Sequence, residues 1–334
     1  MTPELPPMIA SDNHPFAPFV RILGKGKKGS RDLTQDEAQA AMGMILRDDV
    51  LPEQLGAFLM LLRIKEESPA EIAGFCAAVQ AHWPLPDISV DIDWSCYAGK
   101  RRHIPWLVLS QRLLADMGYR QCIHGTRGHT VDRLYVQDAY DYLGWPVLKS
   151  LEELADWDPG TPSFLPLDVL SPRLESIIQL RRVLGLRSPV HSFSRLLNPF
   201  AAPTVLQAIF HPGYHSIHQG ASALLNYPSA LVIKGDGGEF ERNPDAELTL
   251  YWARHGETSE TTLPALFARR HVKPESLDLD DLVRLWKGDL QDEYAEAAVL
   301  STAALAIMAH EQWTFDSALQ RVQTAWEDRD RTRR

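Results

Sequence analysis

The chain has 334 residues, 45% of them hydrophobic and 23% charged, with a formal net charge of −10 at pH 7. This composition is globular and excludes a disordered or fibrous chain, and the length suits two domains. The overall acidity argues against a general polyanion binder, and no apolar run approaches the ~18 residues of a membrane span, so no membrane partner is expected.

The opening stretch, Met1 to Phe16, is proline-rich and carries an acid before any base, unlike a signal peptide. Cys76, Cys96 and Cys122 are widely spaced without a CxxC. That pattern fits a reducing compartment without a disulfide framework or a structural zinc site, and a cytoplasmic location is expected. A glycine-punctuated basic loop follows, "GKGKKGS", carrying Lys25, Lys27 and Lys28. Thr34 and Glu37 then make a capping box, with Ala38, Ala41, Met42, Ile45 and Leu46 on one apolar helix face. A second helix is predicted from Pro52 to Lys65, and a third from the Ser68-Pro69-Ala70-Glu71 capping box. "HWPLPD" reads as a linker, which bounds a helical domain at 1–82.

From 83 onward strands and helices alternate. "DISVDIDW", "RQCIHG", "TVLQAIFH" and "SALVIKGDGG" read as strands; "PWLVLSQRLLADMGY", "VQDAYDYLGWP" and "HSIHQGASALLNY" read as helices. This βα order predicts an α/β domain over 83–334 with a mainly parallel central sheet. A helical segment near 170–198 is placed with the N-terminal domain, and a long helix near the C-terminus is expected to be partly buried. Charge is uneven along the chain. Ser95 to Gln137 holds seven bases against two acids, whereas Glu275 to Glu296 holds eight acids against two bases. Such asymmetry creates a local positive surface on an acidic protein.

In open α/β sheets ligands sit beyond the carboxyl ends of the strands. Three glycine-containing turns fall there: "YAGKRRH", "HGTRGH" and "KGDGGEFER". None is a Walker loop or a GxGxxG fingerprint. The first gathers Lys100, Arg101, Arg102 and His103 at one turn, which calls for a compensating anion. Three cations beside Cys96 would lower a thiol's pKa and favour a reactive cysteine. His211, His215 and His218 have metal-like spacing, but Pro212-Gly213 interrupts the helix, and they read as turn and cap residues.

Taken in order, these features resemble the anthranilate phosphoribosyltransferase family of glycosyltransferases, over about Arg31 to Ala309. The N-terminal helices, the HGxR at His124, Gly125 and Arg127, and "QLRRVLGLRSPVHSFSRLLNPF" carry the resemblance. It implies a small helical domain and a larger α/β domain with the active site between them. Phosphoribosyl pyrophosphate and magnesium would bind on the α/β side and an aromatic acceptor on the helical side. The family's GTGGD-type diphosphate loop falls at "CYAGKRR", keeping Gly99 alone. Its KHGNR motif is "IHGTR" here, its acceptor-binding arginine matches Arg181, and its magnesium-binding acids fall near Glu239 and Glu241.

Two functions follow. In the first, a divergent branch outside the tryptophan pathway binds nucleic acid or another polyanion. Its contacts would come from Lys25, Lys27, Lys28, Gly99, Lys100, Arg101, Arg102, His103, His124, Gly125 and Arg127, on a homodimer paired through the N-terminal helices. In the second, a magnesium-dependent phosphoribosyltransferase or phosphorylase acts on an unknown acceptor. Lys100 to Arg102 would then hold phosphate, Arg181 an acceptor carboxylate, and Glu239 with Glu241 the magnesium ion.

Overall fold

The computed structural model describes residues 13–83, 85–128, 130–211, 213–274 and 276–332, so most of the proline-rich opening lies outside the described residues. Four helices come first: α1 (Ala17–Gly24), α2 (Gln35–Leu46), α3 (Pro52–Lys65) and α4 (Pro69–His82). Thr34 and Ser68 cap α2 and α4, each in a reciprocal box with the glutamate three residues on. Glu71 does more than cap. Buried at the helix start, it also accepts from the Leu33 amide at 2.9 Å and from Lys65 Nζ at 2.7 Å, joining three segments. The first of these helices lies in what the sequence presents as a tail. Phe16, just before α1, is fully buried edge-on against Phe58 of α3 at 5.2 Å, and this contact holds the short helix down.

The α/β domain is built on one seven-stranded sheet. Its strands are β1 (Ile92–Cys96), β2 (Gln121–Gly125), β3 (Phe164–Pro166), β4 (Thr204–Ala208), β5 (Ser229–Ile233), β6 (Leu248–Arg254) and β7 (Glu257–Leu263). The spatial order is β3-β2-β1-β4-β5-β6-β7. The first five strands run parallel, and β6 and β7 form an antiparallel hairpin on one edge. That hairpin turns at His255-Gly256, both at positive φ.

The sheet separates two apolar clusters. On one face Ile92, Trp94 and Cys96 pack with the helices Leu107–Asp116, Glu293–Glu311 and Phe315–Glu327. On the other, Tyr97, Cys122 and Leu165 join residues of all four N-terminal helices and of the 167–197 segment. Alternation along β1 therefore sends Asp93 and Ser95 toward the helical side, where Asp93, His124 and Gln207 are fully buried. That side of the sheet is polar as well as apolar, and its groups are held by hydrogen bonds. Among the described residues no helix is long and apolar enough to cross a membrane.

Candidate functional site

The β1–helix turn, the 126–135 loop and the 235–242 turn after β5 meet at the carboxyl ends of the parallel strands. Gly99 stands at φ +68, where an added Cβ would meet Arg133 and Tyr135 at 3.1 Å. A glycine here lets the turn lie flat against its neighbours. The amides of Ala98 and Gly99 both donate to one oxygen of Glu239, at 2.8 and 2.6 Å. The other oxygen of Glu239 is buried and has no hydrogen-bond partner among the described residues. Burial pushes this carboxyl above its ordinary value, against the pull of Arg195 and the two amides.

Lys100 does not reach outward. It forms an isolated antiparallel bridge with Leu134, its amide donating to the Leu134 carbonyl at 2.7 Å and its carbonyl accepting at 2.9 Å. Its fully buried ammonium donates to Asp236 and to Glu241, the latter at 2.5 Å. The second oxygen of Glu241 accepts from the Leu107 amide at 2.8 Å, at the start of the helix Leu107–Asp116. Two carboxylates thus share one ammonium. The Lys100 charge holds Asp236 below its ordinary value, while burial and the neighbouring Asp236 push Glu241 up to about 7.

These contacts correct several sequence expectations. Lys100 cannot hold an external phosphate, because its charge is spent inside the protein. Glu239 and Glu241 do not fit a magnesium ion: one is taken by backbone amides, and the ammonium of Lys100 lies between the other and Asp236. No cluster of three potential metal ligands occurs among the described residues, including the histidines from 211 to 218. His124 is buried in β2, its ring bonded to the Tyr97 hydroxyl at 2.8 Å and to Asp93 at 3.3 Å, away from any ligand. Gly125 serves strand packing, since a Cβ would fall 1.8 Å from the Cys96 carbonyl oxygen. Arg127 is exposed but paired to Asp141 at 2.8 Å. Burial pushes the Cys96 thiol well above its ordinary value, which rules out the reactive cysteine.

Other expected residues remain accessible. Arg101 and Arg102 are exposed, and so are Lys25, Lys27 and Lys28 in the loop after α1; none makes an ion pair among the described residues. His103 is half-buried with its ring edge-on to Tyr294 at 4.4 Å. The α1–α2 loop and the β1 turn lie on different elements, and no contact between their cations is present. Arg181 donates to the Thr130 hydroxyl at 2.7 Å.

Sequence reasoning missed Arg133, Arg187 and Arg195. Arg133 donates to the carbonyls of Ala98, Gly99 and Gly237 at 3.0, 2.9 and 3.1 Å, stapling the two turns together. Arg195 donates to the Gly238 carbonyl at 3.3 Å. Arg187 donates to Thr130, and burial with the charges of Arg133, Arg195 and Arg181 pushes it down to about 10. Arg187 and Arg195 both lie in the quoted "QLRRVLGLRSPVHSFSRLLNPF", Arg195 in a short 3-10 turn at Ser194–Leu196, whereas Arg133 sits in a loop with no periodicity to flag it.

Comparison with known proteins agrees with this architecture. The helical bundle domain of the glycosyl transferase family matches residues 19–83. The chain is similar to the uncharacterized protein YbiB of Escherichia coli, 29% identical over 237 residues, 69% of this chain and 73% of YbiB. It is similar to the anthranilate phosphoribosyltransferase of Streptococcus thermophilus, 26% identical over 256 residues, 75% of each chain. Among solved structures it matches the Saccharomyces cerevisiae anthranilate phosphoribosyltransferase in complex with PRPP and Mg. The TM-score is 0.73 at 16% identity, covering 94% of this chain and 93% of that one.

Proposed function

We propose, from the premise that this chain is a divergent homologue of the anthranilate phosphoribosyltransferases, that it binds single-stranded nucleic acid and makes no phosphoribosyl anthranilate. The observation that carries the reading is the occupation of the cleft by the chain's own acids. Glu239 fills the Ala98 and Gly99 amides, and Glu241 takes the first amide of the helix at Leu107. Backbone amides at such places hold phosphate when they are free. Here two carboxylates stand where a diphosphate would need them, and Lys100 stands where a cation would bridge the acids. The exposed Lys25, Lys27, Lys28, Arg101 and Arg102 are then left as the cations available to a polyanion. The protein works in the cytoplasm as a homodimer through its N-terminal helices.

The second reading, a magnesium-dependent phosphoribosyltransferase, draws support from the yeast relative that holds PRPP and Mg. One pair of measurements separates the two. Fluorescence anisotropy with a labelled single-stranded oligonucleotide should give binding that weakens steeply with salt. Four phosphate contacts correspond to a loss of roughly 50-fold between 50 and 200 mM salt. The variant K27A/K28A/R101A/R102A should lose most of that slope. Calorimetry with phosphoribosyl pyrophosphate and magnesium should show no binding. Magnesium-dependent binding of phosphoribosyl pyrophosphate, with no salt-sensitive oligonucleotide binding, would establish the enzyme instead.

A further inference from the structure

A second concave site lies at the 235–238 turn. Gly237 belongs to both sites: it lies against Gly99 and Lys100, and it also lines a groove of about 500 Å³ beside the cleft. The groove sits at the carboxyl end of β5 and runs along β6. It falls within the range of about 300–1,000 Å³ typical of small-ligand sites.

Its chemistry is of two kinds. Phe210, just after β4, is 52% exposed and lines the groove, its ring edge-on to His211 at 5.6 Å. Tyr251 of β6 lines the same groove. His215, which also lines the groove, stacks on Tyr251 at 5.0 Å with 12° between the planes. His215 is in turn bonded to the Ile209 carbonyl at 3.0 Å, which fixes the stacked pair in place. An exposed phenylalanine in a concavity beside a braced tyrosine is a surface for a flat ring.

The other kind is charge. Arg102, Lys234, Arg270 and Lys273 line the groove and make no ion pairs among the described residues. Three carboxylates also line it, but two already have partners. Asp236 is held by Lys100, and Asp245 by His271 at 2.7 Å, whose imidazole this bond raises above its ordinary value. Asp236 shares its ammonium with Glu241 and also feels Arg102, so Glu247 and part of the Asp236 charge stand against the four cations. The groove is therefore locally positive on an acidic protein, and the positive groups ring two aromatic faces. Phosphate satisfies the cations, and a nucleobase satisfies the rings. An acidic peptide would use the first and leave the second exposed.

We infer that this groove is a nucleotide-binding site, taking a base against Phe210 and Tyr251 and its phosphate on Lys234, Arg102 and the Arg270–Lys273 loop. The site adjoins the self-filled cleft, sharing Asp236 and Gly237 with it, and does not require the basic loop after α1. The nucleotide has two sources, a free nucleoside phosphate or one unit of a strand.

The test uses the full-length chain and four variants: Phe210→Ala, the pair Lys234→Ala/Lys273→Ala, the pair Lys27→Ala/Lys28→Ala in the basic loop, and Arg321→Ala, an exposed cation outside both the loop and the groove, as the control. Calorimetry with AMP and with ribose 5-phosphate reports the free ligand. Ultraviolet crosslinking of an oligonucleotide carrying 5-iodouracil, mapped by mass spectrometry, reports the strand. Saturable AMP binding is expected, weakened about tenfold or more by Phe210→Ala and by Lys234→Ala/Lys273→Ala, and unchanged in the control. A crosslink on Phe210 or Tyr251 with weak AMP binding assigns the site to strands; AMP binding without a crosslink assigns it to free nucleotide. Ribose 5-phosphate binding as tightly as AMP, or Phe210→Ala leaving both AMP binding and crosslinking intact, overturns the site. So does oligonucleotide binding that Lys27→Ala/Lys28→Ala abolishes while no groove residue crosslinks; in that outcome the nucleic-acid reading stands and the groove does not. AMP binding that depends on Phe210, in a protein with no oligonucleotide affinity, leaves the groove standing without that reading.

Discussion

Lys100 and Arg101 are neighbours in the chain with opposite consequences when removed. Lys100→Ala would strand Asp236 and Glu241 in a buried site, where breaking such a pair typically costs about 3–5 kcal/mol. Arg101→Ala removes an exposed cation without a partner and should change stability by less than about 0.5 kcal/mol. Urea unfolding of the two variants checks this, and equal midpoints would refute the buried role. The reason one cation turns inward was not written in the run Lys100-Arg101-Arg102. It comes from the bridge to Leu134, which fixes the direction of the Lys100 side chain and is formed by a residue 34 positions away. Glu239 and Glu241 were legible as a pair of acids on a glycine turn; that they would bind their own backbone and a lysine was not.

Glu241 also sets a pH dependence. Its carboxyl titrates at about 7 in the folded chain, against an ordinary 4.5. Between those values the folded state holds a proton that the unfolded state has released, so this group makes stability fall as pH rises from about 5 through 7. Thermal melts at pH 5 and pH 8 should show a decline, on the order of several °C, that is absent or smaller in Glu241→Gln. An identical pH profile in the two proteins would contradict a Glu241 carboxyl raised by burial and by Asp236.

At the level of elements, backbone proximity decides more than propensity. Helices α2 and α4 cross at Gly74, where a Cβ would sit 2.3 Å from the Gln35 carbonyl oxygen and 2.7 Å from the Ala38 side chain. Gly74→Ala should therefore destabilise by about 1–3 kcal/mol despite alanine's better helix propensity. Gly56, inside α3, meets nothing within 4 Å, and Gly56→Ala should stabilise by about 0.5–1 kcal/mol. Opposite shifts in denaturation midpoint test the pair; same-sign shifts would mean that α2 and α4 do not approach this closely. The helix starts at Thr34, Pro52 and Ser68 were readable because caps and prolines are local signals. The hairpin of β6 and β7 was not. Its outer strand, "ETSETTL", is polar on both faces and exposed along most of its length, so it lacks the alternation that identifies a half-buried strand. Its charges and threonines suit an open sheet edge, where they discourage pairing with another chain. The three-residue β3 was too short to carry any period.

For the molecule as a whole, the two-domain plan and the parallel sheet could be read from the alternation of elements, and the resemblance pointed to the same plan. The cleft could be located but not characterised. Its location follows from strand direction, a property of the fold. Its contents depend on side chains brought together from the turns after β1 and β5 and from the 126–135 and 187–195 segments, far apart in sequence. The same limit explains why an acidic chain could be suspected of a basic face without that face being found: the cations of the groove come from residues 102, 234, 270 and 273.

Lys100 and Glu241 stand 141 positions apart. A ribosome adding roughly 5–20 residues each second delivers the second partner roughly 7–28 s after the first. Through that interval the nascent ammonium has no mate, and the amides after the first strand have no carboxylate to hold. Every newly made copy thus passes through an unsealed stage during synthesis, before its own acids can shut that mouth.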